Sequence, residues 1–388
     1  MKQVIVTENL PIKLWLDEIE DGALQQCKNI ANLPFLYKHF AVMPDSHEGY
    51  GMPIGGVMAT DGVIIPNAVG VDIGCGMCAI NTGLEEISRE DLLKIVEKIK
   101  QIVPLGFEHH KLPQSKELMP QGYDLDALHI VKSQYQSALH QIGTLGGGNH
   151  FIEIQKGSDG NIWIMIHSGS RNIGLKVAEH YNKIAVFQNE LYYSGVDKKV
   201  QLAFLPIKTK EARDYMNEMK FCVDFALANR TLMMNNIIKC FEETVGILNT
   251  HEMINIAHNY ARWENHFGKN VIVHRKGATS AKEGEIGIIP GSMGSKSYII
   301  EGLGNPESFM SCSHGAGRKM GRRQAIKTLS MDEEVSTLNS QGIIHDLDSI
   351  EKLDEATGSY KDIDVVMDNQ KDLVKILVEL KPLAVIKG

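Results

Sequence analysis

The 388-residue chain has no apolar run near the roughly 18 to 20 residues that a membrane span requires. Its first residues, MKQVIVTENLPIKLWLDE, lack the basic, apolar and small-residue succession of a secretory leader, so a cytoplasmic protein with no membrane partner is expected. Cysteine is sparse. Cys27, Cys75, Cys78, Cys222, Cys240 and Cys312 are scattered too thinly for a disulfide scaffold, which leaves free thiols or metal ligands. No proline- or serine-rich linker interrupts the chain, no repeat recurs at a fixed period, and no segment is low in complexity; residues 1–388 read as one domain. There is no Gx4GKS/T segment and no GxGxxG opening a dinucleotide fold, which excludes ordinary P-loop and Rossmann sites. Positive charge is not in surplus either, the formal net charge being −8. Even so, Gly317–Lys327 (GRKMGRRQAIK) carries Arg318, Lys319, Arg322, Arg323 and Lys327 with no acidic residue, and a local patch suffices to engage phosphates.

What is abundant is glycine, and it is unevenly placed. It crowds into GYGMPIGG, VGVDIGCGM, GTLGGGNH, HSGSRNIG, GIIPGSMGSKS and SHGAGRKMG, while residues 175–250 are nearly free of it. The glycine-poor stretch reads as helix. Thr209 is its N-cap, and Met216, Met219, Cys222, Val223, Leu227, Leu232, Ile237 and Phe241 keep a helical apolar rhythm. The glycine-rich stretches alternate with short apolar runs, Ile162–Ile166, Val271–Val273 and Tyr298–Ile300, of buried-strand type. From Asp364 onward, Val365, Val366, Leu373, Val374, Ile376, Leu377 and Leu380 predict a helix ending before Pro382, followed by a short strand, LAVIKG. The class is mixed α/β, with strands ending in functional loops.

The first chemical cluster is VDIGCGM, where Asp72 and Cys75 stand three residues apart among glycines that let the backbone present both. A hard carboxylate beside a soft thiolate suits a borderline divalent ion. Three histidines flank apolar runs: His150 opens FIEI, His167 closes IWIMI, and His258 lies in INIAHNYARWE, a helical-looking stretch. Each alone reads as a satisfied core histidine; together with Asp72 and Cys75 they read as a metal site. Cys75 also begins a CxxC with Cys78. A structural zinc site needs a second pair, which the other cysteines do not supply, so Cys78 is expected to pack. His109, His110, His129, His140 and His180 have no matching context.

A second cluster is SCSHGAGRKMGRRQ, in which His314 precedes Gly315-Ala316-Gly317 and Arg318, with a basic helical stretch beyond. Glycine amides, a helix N-terminus and an arginine form an anion site, and an imidazole at its mouth can attack phosphorus. HRKGATS (274–280) and PGSMGSKS (290–297) each add glycine, hydroxyls and a cation, a composition shared by phosphate cradles and ordinary solvated loops.

These segments, from MPDSHEGYGMPIGG to the terminal VIKG, resemble the RtcB family of tRNA-splicing and RNA-repair ligases across essentially the whole chain. The match is carried by VGVDIGCGM, GTLGGGNHFIE, HSGSR, AHNYA, HRKGA, PGSMGSKSY, GLGN, SCSHGAGR and YKDID. The resemblance implies an α/β architecture around a central sheet sandwich with flanking helices. It implies two manganese ions held by Asp72, Cys75, His150, His167 and His258, with Cys75 bridging, and His314 as a guanylylated nucleophile. It further implies that Asn149, Glu153, Ser292, Gly315, Ala316, Gly317, Arg318, Tyr360 and Lys387 hold the nucleotide and that Arg171 meets a phosphate. The implied activity uses GTP to join RNA ending in a 3′-phosphate or 2′,3′-cyclic phosphate to a 5′-hydroxyl end. Two departures stand out: Asn172 follows HSGSR where relatives often have glycine, and Cys78 creates the CxxC. Asparagine tolerates a left-handed backbone, so the loop is expected to keep its shape. A metal-dependent phosphoesterase and a non-ligating RNA-binding paralogue are the competing classes. The first has no need of His314 beside GAGR, the second none of five intact ligands.

Overall fold

The computed structural model describes residues 1–388. Two sheets face each other. One has six strands in the order Gln3–Ile5, Ile12–Leu14, Leu36–His47, Ile54–Thr60, Lys269–Lys276 and Asn259–His266. The other has seven, in the order Ile254–Ala257, Gly76–Asn81, Ile162–Ser168, Phe151–Gly157, Val374–Lys387, Ser297–Gly302 and Ile286–Ile289, all antiparallel. Inward side chains of the first sheet (Ala41, Val57, Val271, Val273) meet those of the second (Ile289, Tyr298, Ile300, Val374) in one buried core, as in a sandwich. The expected α/β class with a sandwich-like centre therefore holds.

Helices cover the outer side of the second sheet. The glycine-poor segment forms Lys210–Val245, capped by Thr209, whose hydroxyl accepts from the Ala212 amide at 3.2 Å. Its apolar stripe continues into two cores. Phe221, Cys222 and Phe225 pack with the helices His129–Gln141 and Arg171–Leu191. Met233, Ile237 and Phe241 pack on Ile152, Ile164 and Ile166 of the sheet and on the helix Arg89–Ile102.

Two local expectations are corrected. The C-terminal helix is confined to Ile363–Asp368, and Val374–Lys387 is one long strand running through Pro382. Val374, Ile376 and Val378 are β-branched at every second position, a period that an apolar-rich segment shares with a helical reading until both neighbours are paired. Pro382, which lacks a ladder donor, falls where the pairing register shifts. The stretch around His258 is also extended. Ile254–Ala257 belongs to the second sheet and Asn259–His266 to the first, and His258 is the residue at which the chain crosses between them.

Candidate active site

The proposed metal ligands gather at one end of the second sheet because its register brings their strands level. Gly76, next to Cys75, is opposite both Ser168 and Ala257, and His167 is opposite Phe151, next to His150. The His258 amide donates to the Cys75 carbonyl at 2.8 Å, docking the crossing residue onto this edge. Two triads result, Asp72/Cys75/His150 and Cys75/His167/His258, sharing the thiol. Cys75 Sγ lies 3.5 Å from His150 Nε2 and 3.3 Å from His167 Nε2; His150 Nε2 is 3.3 Å from Asp72 Oδ2, and His167 Nε2 is 3.4 Å from His258 Nε2. Ligands of a single small divalent ion sit roughly 3 to 4 Å from one another, so the set has the spacing of a metal centre.

Outer contacts favour the same use. His150 Nδ1 donates to the Leu145 carbonyl at 3.0 Å and His167 Nδ1 to the Asn149 carbonyl at 3.0 Å, turning the lone pair of each Nε2 toward the thiol. Burial, reinforced by neighbouring histidines, holds His167 and His258 far below the ordinary histidine range, so both are neutral donors at pH 7. Burial opposes the Asp72 carboxylate, but its contact with His150 holds it down at about 2. Burial and the Asp72 charge push the Cys75 thiol well up, so a thiolate at this position would need a bound cation to form.

His314 stands beside this centre, its ring 4.7 Å from that of His258. Its Nδ1 is 2.6 Å from Asp45 Oδ2, which also accepts the His314 amide at 3.0 Å. Asp45 is fully buried; desolvation works against its charge, yet His314 and Lys361 keep it ionised. The ionised carboxylate accepts a hydrogen bond from Nδ1–H, which leaves Nε2 as the nitrogen with the free lone pair. The loop carrying His314 rides on the Asp45 backbone: Gly317, at φ +75°, has no room for a side chain, because a Cβ there would stand 2.1 Å from the Asp45 carbonyl.

Asn149, Glu153, Ser292, His314, Gly315, Ala316, Gly317, Arg318, Tyr360 and Lys387 line one cavity of about 300 Å³ together with Asp72, Cys75, His167 and His258. Within it Lys387 Nζ donates to Glu355 Oε2 at 3.2 Å and lies 5.4 Å over the Phe151 ring. Burial pushes the Glu153 carboxyl up to about 8, against the pull of Lys387. A cluster of side chains spaced for a metal ion, an oriented imidazole and a polar-lined slot thus open into a single space.

A sequence model of the family described as tRNA-splicing ligase RtcB matches residues 26–388. This chain belongs to the RtcB family. It is 39% identical to the RNA-splicing ligase RtcB of Escherichia coli K12, with 100% of this chain and 99% of that protein covered. To the tRNA-splicing ligases RtcB of Nanoarchaeum equitans and Thermococcus kodakarensis it is 33% and 32% identical, with 98% and 95% of this chain and 96% and 92% of those proteins covered.

Not every residue singled out in this RtcB chain reaches the cavity. Arg171 does not line it: its Nε donates to Thr144 Oγ1 at 3.2 Å, and its Nη1 lies 3.5 Å from His150 Nδ1. It is Arg171 that adopts the left-handed backbone (φ 59°), whereas Asn172 sits in ordinary helix, its amide donating to Gln141 Oε1 at 3.1 Å. The concern over a missing glycine is thereby removed. HRKGATS is not the solvated loop that its composition suggests, and of its residues only Gly277 lines the cavity. Most of it lies in strands, with Arg275 bound to Glu264 and Lys276 Nζ donating to the Tyr50 and Asn67 carbonyls at 2.6 and 3.0 Å, both side chains buried. The basic helix spans only Arg322–Thr328 and does not begin at the GAG turn. Arg318 and Arg322 are drawn to Glu355 and Asp354, with the Arg318 guanidinium 5.3 Å over Tyr360. Cys78 is buried among Ile95, Ile166 and Met233, away from the triads, so the CxxC is not a site.

Sequence reasoning missed Asp45, His47, Asn259 and Glu355, of which His47, Asn259 and Glu355 line the cavity. Asn259 ties two functional loops, donating to the Asp72 carbonyl at 3.0 Å and accepting from the Gly277 amide at 2.8 Å. Asp45 and His47 lie in MPDSHEGYG, a strand end rich in polar groups before a glycine turn, which is the signal that could have marked them.

Proposed function

We propose that this chain is a GTP- and manganese-dependent RNA ligase that joins a 3′-phosphate end, or one made by opening a 2′,3′-cyclic phosphate, to a 5′-hydroxyl end, with His314 carrying GMP between steps. The observation that supports this best is the pairing of His314 Nδ1 with Asp45 beside a thiolate-bridged ligand set. A hydrolase needs metal and water; an imidazole oriented for attack serves covalent transfer. Asp72, Cys75, His150, His167 and His258 would hold the two ions, which when bound supply Lewis acidity to phosphoryl oxygens.

In this reading Nε2 of His314 attacks the α-phosphorus of GTP, a P–N bond forms, and the bond to pyrophosphate breaks. Asp45 holds the Nδ1 proton and balances the charge that develops on the ring. The RNA 3′-phosphate then takes GMP from the ring, restoring free imidazole. The 5′-hydroxyl attacks that activated phosphate, loses its proton and expels GMP. Glu153, Ser292, Lys387 and Asn149, with Tyr360 and the Gly315–Gly317 turn, would hold the nucleotide, since they share the cavity with His314. Arg171, set behind His150, would act on a phosphate only after moving.

The test uses an RNA with defined 3′-phosphate and 5′-hydroxyl ends, manganese and GTP. Joined product that requires GTP is expected. Removal of the phosphate without joining would assign the site to a phosphoesterase instead.

A further inference from the structure

The charged residue buried deepest beside the metal-ligand cluster belongs to none of the motifs. Arg230, on the helix Lys210–Val245, is 0% exposed and forms no ion pair with a carboxylate; the hydrogen-bond acceptors of its guanidinium are neutral oxygens. Nη1 donates to the carbonyls of Gly74 at 3.1 Å and Ser168 at 2.8 Å, Nη2 to that of Ile256 at 3.1 Å, and Nε to Asn255 Oδ1 at 2.8 Å. Gly74 immediately precedes Cys75, Ser168 follows His167, and Ile256 is two residues before His258. The Asn255 amide donates back to the Leu227 carbonyl at 3.1 Å and Thr231 Oγ1 at 3.2 Å, closing the network onto the helix.

The preceding residue completes the pattern. Asn229 Oδ1 accepts the Gly143 and Thr144 amides at 2.6 and 3.2 Å, and its Nδ2 donates to Ser168 Oγ at 3.2 Å and the Gly169 carbonyl at 3.1 Å. Ser168 Oγ in turn donates at 2.6 Å to the Leu145 carbonyl that also fixes His150. The loops bearing Cys75, His150, His167 and His258 are thus fastened to adjacent side chains of one helix. Gly74 lets its loop lie directly on that helix: at φ +75°, a Cβ would stand 2.8 Å from Val223 Cα.

We propose that Arg230, seconded by Asn229, is a positioning residue for the metal centre, its buried guanidinium fixing the relative placement of Cys75, His167 and His258. The proposal rests on the reading of those residues as metal ligands. The planar fork alone meets these carbonyls at once; a lysine ammonium is a point donor on a flexible stem and cannot span them. Ligand placement tolerates only tenths of an ångström, so loosening these loops weakens metal binding before it unfolds the chain.

The test is a Co²⁺ titration of the chelator-treated full chain, following the thiolate-to-cobalt absorption band, with thermal unfolding of each apo-protein alongside. Wild type should show the band and Cys75→Ala should lose it; a wild type without it refutes the metal site itself. Arg230→Lys and Arg230→Met should both bind Co²⁺ more weakly by about tenfold or more, the range for lost outer contacts of a metal ligand. Glu218→Gln is the comparison, because Glu218 is equally buried on the same helix but bonds the Ile130 and Val131 amides and the Tyr181 hydroxyl instead. It should lower the melting temperature and leave Co²⁺ affinity unchanged. If Arg230→Lys and Arg230→Met keep wild-type affinity, if affinity falls in step with melting temperature in all variants including Glu218→Gln, or if neither Arg230 variant folds, the positioning role is overturned.

Discussion

Asp45 and His314, 269 residues apart in sequence, are joined by a 2.6 Å contact between a fully buried carboxylate and Nδ1 of an imidazole whose ring stands 4.7 Å from a proposed metal ligand. Asp45→Asn keeps the shape but loses the charge that orients the ring and steadies it during attack. Guanylylation should slow by roughly 10²-fold or more, the scale of an acid–base partner. Single-turnover labelling with GTP checks this; an unchanged rate would remove Asp45 from the mechanism.

Cys75→Ala deletes the only ligand common to both triads. Metal stoichiometry in chelator-treated protein should fall for both ions together, and guanylylation with it. Loss of one ion alone would show that the thiol does not bridge.

The C-terminal Lys387 is 7% exposed, with its ammonium on Glu355. Glu355 keeps Arg318, Arg322 and Tyr360 as partners, so Lys387→Ala should cost only about 1 to 3 kcal/mol of stability, less than stranding a buried charge outright. Histidine–GMP formation should nevertheless drop, with a raised KM for GTP. Unaltered GTP kinetics would reduce this residue to packing.

Glu153 gives a pH signature. Its carboxyl sits at about 8 in the fold, above the ordinary value of 4.5, chiefly because it is buried. The folded state therefore holds this proton more tightly than the unfolded one. The stability it confers is full below pH 4.5 and is lost as pH rises through about 8. Glu153→Gln removes that slope: relative to wild type, the metal-free variant should gain on the order of 3 to 4 kcal/mol between pH 5 and pH 8. Melting curves at the two pH values measure the difference, and a constant offset would contradict it.

Much of this was legible in sequence where chemistry and local pattern coincided. His150 and His167 flank strands whose apolar runs are unmistakable, and the helix Lys210–Val245 announces itself through Thr209 and its apolar stripe. His258 does stand with Cys75 and His167, but in extended chain rather than in a helix, because a strand that changes sheets shows no clean period. Val374–Lys387 was misread because alternation and helical spacing overlap in a short apolar-rich segment, and only pairing on both sides decides between them. Arg275 and Lys276 resembled phosphate ligands by composition; burial against Glu264 and two carbonyls is a tertiary fact. Asp45, Arg230 and Glu355 lay hidden for the same reason: each acts through a partner distant in sequence.

His314 is the residue expected to become covalently guanylylated. Purified protein incubated with manganese and α-labelled GTP should release pyrophosphate and retain one label, mapped by mass spectrometry to His314, absent from His314→Ala although that variant still binds metal, and discharged when RNA with a 3′-phosphate is added. Ligation of that RNA without any labelled protein, or a label on another residue, would contradict the account.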